Sequence, residues 1–106
     1  MNKVILMGRV DKEPEVRYVD KGVAVANVTL CTTEPGVTLP DGTQRPEHNE
    51  WHRVILWRAL AEFVELNVHE GDRLLVEGKL HHRSYTDRQD ITRYVTEVWA
   101  ETLEKL

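Results

Sequence analysis

Cysteine is nearly absent from this 106-residue chain, long apolar runs are missing, and basic residues are outnumbered by acidic ones. A lone Cys31 excludes an intramolecular disulfide and fits a reducing cytoplasm. No apolar stretch approaches the ~18 residues a membrane-spanning helix needs. The opening segment, Met1 to Arg9, has an apolar centre too short for a secretory leader and reads as a strand of the fold. A net charge of −4 argues mildly against nucleic acid. Placement outweighs the total, because counterions screen charges more than ~8 Å apart at physiological salt.

Catalytic and metal signatures are missing too. No nucleophile–base–acid constellation is legible, and no glycine-rich loop could cradle a phosphate, so no enzyme and no cofactor is indicated. His48 and His52 have a ligand-like spacing, but four residues of strand span ~13 Å, too far for one ion. A zincin would also need Glu where Asn49 stands, so no metal is expected.

What remains is ample for one domain over residues 1–106, with 41% apolar and 30% charged residues. Residues 3–9 read as a strand, with a bulge or bend at Gly8. Val16 to Val19 form a short extended piece, and Asp20-Lys21-Gly22 a turn. Val23 to Thr33 is a long Val- and Thr-rich strand. Residues 34–49 hold Pro35, Pro40 and Pro46 and form a long projecting loop or hairpin. A strand over 50–57 follows.

Arg58 to Val68 then switches to helical period, with Leu60, Phe63, Val64 and Val68 on the apolar face and Phe63 in the core. Arg73 to Tyr85 alternates again. Leu74, Val76, Gly78 and Leu80 face the core, while Lys79, His81, Arg83 and Tyr85 face away. Thr92 to Leu103 is the last strand. A helix between the third and fourth of five main strands is the element order of an all-β OB barrel. An α+β sandwich shares that order.

Glu50 to Trp57 is the stretch that suggests chemistry. Val54 and Leu56 point one way, with His52; Trp51, Arg53, Ile55 and Trp57 point the other. Two indoles flanking a guanidinium on a sheet surface suit base stacking and phosphate contact. Arg53, Lys79 and Arg83 share the aromatic faces and are the main phosphate candidates. Lys3, Arg9 and Arg17 are secondary ones. Glu77 lies on the face of Lys79 and is expected to pair with it. Trp99 shares parity with Val95 and Glu97 and reads as a packing or interface residue. Tyr18 and Tyr94 default to core or interface.

Six segments resemble the bacterial single-stranded DNA-binding protein family, in order along the chain: residues 2–9, Pro14 to Tyr18, Ala24 to Asn27, Glu50 to Val54, Val76 to Leu80 and Arg93 to Val98. The resemblance implies a cytoplasmic, nucleoid-associated homotetramer of OB folds that wraps single-stranded DNA in replication, recombination and repair. By position it makes Trp51, Trp57 and Tyr85 stacking residues and His52 a subunit-interface residue. Val37 stands where the family often has a further loop aromatic. The family's acidic, partner-recruiting tail has no counterpart up to Leu106: either it is trimmed from this chain, or the chain is a short form that binds DNA without that route, which puts tail-mediated replication and repair partners in doubt. Two other readings share the fold. One is a dimeric replication-restart accessory resembling primosomal replication protein N; the other is an OB interaction domain with its indoles buried between subunits.

Overall fold

A computed structural model describes all of residues 1–106. The main strands are β1 (Val4–Val10), β2 (Glu15–Val19), β3 (Val23–Glu34), β6 (His48–Trp57), β7 (Arg73–Thr86) and β8 (Thr92–Lys105). Two short strands, β4 (Val37–Thr38) and β5 (Gln44–Arg45), pair with each other inside the long loop. One helix, α1 (Ala59–Asn67), joins β6 to β7. The sheet runs β1-β7-β8-β6-β3-β2, and a further β1–β3 pairing closes five strands into a ring. This is the expected barrel, with β2 folded back on β3 as an outer hairpin.

Period-two alternation builds the interior. Ala24, Ala26, Val28 and Leu30 of β3 point inward, as do Val54 and Leu56 of β6 and Leu74 and Val76 of β7. The helix plugs one end through Ala61, Val64 and Val68. Phe63 is 41% exposed and does not join the core, contrary to the sequence reading. At ~100° per residue the stripe through residues 60, 61, 64 and 68 leaves Phe63 about 115° from its centre. Leu80, expected inside, is 39% exposed: its β8 partner Val98 is buried, but the β1–β7 ladder ends at Gly78 and leaves Leu80 at the barrel's rim.

Closure depends on close backbone approach. A Cβ on Gly8 would lie 2.3 Å from the Cys31 carbonyl oxygen, where β1 passes from β7 to β3. Gly8 therefore marks a bend, and the β1–β7 register runs through it unbroken. The irregularity lies elsewhere, at Glu77/Gly78, where β8 carries one extra residue, Glu101. A Cβ on Gly78 would lie 2.2 Å from the Trp99 carbonyl oxygen.

Two hairpins project from the barrel: β3–β6 with its proline-bearing loop, and the β7–β8 ribbon. They account for a Cα radius of gyration of 16.3 Å, against ~13 Å for a compact domain of this length. Tyr94 on the ribbon is 81% exposed, so of its two default places, core or interface, the core is ruled out. Tyr18 is 54% exposed and ties β2 to the helix by donating to Glu65 at 2.6 Å.

Candidate single-strand binding face

Register assembles one continuous outer face across five strands. Arg17, Val25 and Trp57 are successive partners across β2, β3 and β6. Asn27, Ile55, Trp99 and Lys79 form the next row across β3, β6, β8 and β7. Arg53 pairs with Thr29 and Trp51 with Cys31 further along. The face continues onto the ribbon through His81, Arg83 and Tyr85.

The alternation read for β6 holds except at Ile55, which shares the outward face yet is 8% exposed, covered where that face meets β8. Trp51 is 58% exposed and Trp57 40%, while Val54 and Leu56 are buried behind them. Six residues of strand place the two indoles ~20 Å apart along β6. Tyr85 is 45% exposed, with the Arg83 guanidinium 6.0 Å from its ring centroid. A cleft of about 420 Å³ opens between β2 and the β7–β8 ribbon. Trp57, Ile55, Trp99, Arg17, Arg83 and Glu97 are among its walls.

Trp99 packs, as its parity suggested, but inside this face. Its ring stacks on His81 at 3.6 Å and 6°, and meets Trp57 edge-on at 6.0 Å. Its indole N–H donates to Glu97 Oε1 at 3.3 Å. Glu97 also accepts two bonds from Arg83, each 3.0 Å. Glu97 carries no functional signal in the sequence. Only its parity with Trp99 is legible there, and which β7 residues it meets depends on the ladder register.

The candidate cations divide into free and engaged. Arg53 and Arg17 are exposed and in no ion pair. Lys3 binds Glu77 at 3.0 Å and Arg9 meets Asp11 at 3.5 Å. Lys79 lies 3.9 Å from Glu101, not beside Glu77 as expected. Lys3 reaches Glu77 across the ladder, two residues from Glu77's partner Ile5. Arg83 is bonded to Glu97 through two of its donors, with its side chain 48% exposed. These six candidates differ in availability because pairing is a tertiary property.

His52 is half-buried, its Nε2 2.8 Å from Thr32 Oγ1. His48 instead contacts Glu50 at 2.7 Å, which raises the imidazole pKa and lowers that of the carboxylate. The two histidines have separate partners, and no group of three acidic, His or Cys side chains is placed to hold a metal.

Hydrogen bonds from Arg83 hold the Glu97 carboxyl below its usual range, against the opposing effect of burial. A depressed folded-state pKa gives stability that is present above the unfolded value, ~4.3, and is lost as pH falls through the folded one. Glu97→Gln is therefore expected to flatten the acid limb of the stability curve below about pH 4. Urea unfolding midpoints from neutral pH down to about pH 3 would check it; parallel curves for variant and parent would count against the pairing.

Fold and face together define a class: a closed OB-type barrel whose outer wall carries half-exposed indoles, an unpaired arginine and an aromatic cleft. Comparison with known proteins gives the family. Residues 1–106 match the model of the Single-strand binding protein family, and the chain belongs to it. It is 48% identical over all 106 residues to a single-stranded DNA-binding protein of Bacteroides thetaiotaomicron, and spans 66% of that relative's length. The SSB of Plasmodium falciparum, solved in complex with ssDNA, superposes with a TM-score of 0.90 at 25% identity, covering 100% of this chain and 95% of that one.

Proposed function

We propose that this chain binds single-stranded DNA without sequence preference and protects it during replication, recombination and repair. The observation that carries the reading is the pair of half-exposed indoles on one face of β6 with the unpaired Arg53 between them. Indole faces stack on any unpaired base, so little sequence discrimination follows. Bases in a duplex are already stacked and offer no face. Tyr85 extends the stacking track onto the ribbon, and Arg53 and Arg17 contact phosphates. Lys3, Arg9 and Lys79 join them only by exchanging exposed ion pairs, which are weak. The family and the ssDNA-bound relative support the same reading. The protein acts as a binder and not as an enzyme.

The working form in this reading is a cytoplasmic homotetramer, with His52 near a subunit contact. Its support is an exposed apolar pair on β1, Ile5 at 60% and Met7 at 58%. The β1 edge before Arg9 also lacks a partner on the β3 side. Four copies would multiply the stacking sites and lengthen the bound strand. No helix is long and apolar enough to cross a membrane.

The test is competition. A labelled dT oligomer should bind, an unlabelled single strand of mixed sequence should displace it, and a duplex of equal length should fail to. Equal displacement by the duplex would remove stacking as the basis of recognition. Light scattering should return four times the 12.3 kDa chain mass; twice that mass would favour the dimeric accessory reading.

A further inference from the structure

Glu97 is the only charged side chain among the buried residues, at 2% exposure, yet it lies on the face that carries the indoles. Its two oxygens accept from Arg83 Nε, Arg83 Nη2 and Trp99 Nε1. No buried side-chain nitrogen or oxygen lacks a partner. The carboxylate is thus satisfied from within. Arg83 is not: its side chain is 48% exposed. A guanidinium has five N–H donors, and this one uses two. The remaining donors belong to its solvent-facing edge, between the cleft wall at Trp57 and the ring of Tyr85.

We propose that Arg83 hydrogen-bonds a nucleobase of the bound strand rather than a phosphate, and that Glu97 is its positioning residue. The inference rests on the single-strand reading above. Its physical basis is partial charge cancellation. A phosphate arriving at Arg83 would also feel the Glu97 carboxylate bonded at 3.0 Å on the guanidinium's far side, and at about twice the distance that repulsion removes roughly half of the attraction. A base acceptor is neutral, so it gains from the oriented donors without meeting that repulsion. Every base offers a carbonyl oxygen or ring nitrogen, so such a contact adds affinity while keeping sequence tolerance. The fixed fork geometry, held by two bonds to one carboxylate, spares the entropy of ordering a long side chain on binding.

Counterion release separates the two roles. Each phosphate neutralised on a single strand contributes ~0.7 to the slope of log affinity against log salt. The full chain would be titrated with a dT oligomer over about 50 to 400 mM salt. Arg53→Ala supplies the calibration: its slope should fall by ~0.7 for each protomer engaged. Arg83→Ala, made in the Glu97→Gln background so that no unpaired carboxylate is left, should weaken binding roughly tenfold at every salt concentration and keep the parental slope. Glu97→Gln preserves the side chain's shape but releases the charge on Arg83, so its slope should steepen by ~0.7 per protomer. A drop in slope for this double variant equal to that of Arg53→Ala would overturn the proposal. So would a double variant with parental affinity. Near-UV circular dichroism reports folding, and Arg83→Gln replaces Arg83→Ala if the latter unfolds. If the parent chain does not bind dT at all, it is the single-strand reading that fails, which is a different result from any of these slopes.

Discussion

Trp57→Ala is expected to weaken binding of a dT oligomer roughly 5- to 140-fold, the equivalent of ~1 to 3 kcal/mol for one lost stack. Trp51→Ala should lose a similar amount. The two differ in their side effects. Trp51 is 58% exposed and makes no ring contact with another aromatic, so its removal should barely alter stability. Trp57 meets Trp99 edge-on and pairs with Val25, which is only 4% exposed. Its truncation opens the cleft floor and is expected to lower stability by ~1 kcal/mol. Trp57→Phe keeps a stacking face and should retain most of the affinity. Anisotropy titrations of all three variants, beside thermal melts, separate stacking from packing. Parental affinity in both alanine variants would remove the indoles from the account.

The second large effect falls on the fold. Gly78→Ala and Gly8→Ala should each destabilise the protein by ~3 kcal/mol or more. Each new methyl would overlap a backbone carbonyl, of Trp99 or Cys31, at little more than 2 Å. Backbone cannot swing aside as a side chain can. At Gly78 the strands must separate where β7 and β8 share their irregular register, and Trp99 sits on that ladder. The damage should therefore reach the binding face, with partial loss of the Trp57–Trp99 contact. Gly42 is the contrast. It sits at φ 89° in the loop turn with nothing near its would-be Cβ. Gly42→Ala should cost only ~1 kcal/mol, through backbone strain. Denaturant midpoints for the three variants test the ranking; a Gly78→Ala protein as stable as Gly42→Ala would contradict the close approach.

Much of this architecture could be read from local pattern. Alternation in residues 50–57 separated the buried Val54 and Leu56 from the solvent-facing Trp51, Arg53 and Trp57, because a half-buried strand leaves that signature. The change of period after Arg58 located the helix. Apolarity alone misplaces Phe63 on that helix, because the small Ala61 completes the buried stripe and Phe63 lies well off its centre.

The parts that resisted reading are those fixed by strand pairing. Arg83 meets Glu97 across a ladder whose register shifts by one residue near Gly78, and no local pattern announces that shift. The Lys3–Glu77 pair joins residues far apart in sequence. Parity placed Trp99, Glu97 and Val95 on one side of β8 but could not say which side faced the indoles. The short β4–β5 pairing around the Asp41-Gly42 turn gives the long loop a hairpin form that its prolines alone left open.

Steady-state tryptophan emission tests the central claim most directly. The parent protein is titrated with dT oligomers, with acrylamide quenching measured before and after saturation. If Trp51 and Trp57 stack on bases, emission falls steeply and saturably, and acrylamide access drops in the complex. Saturable binding with unchanged emission and undiminished acrylamide access would show that the strand lies somewhere other than on these rings.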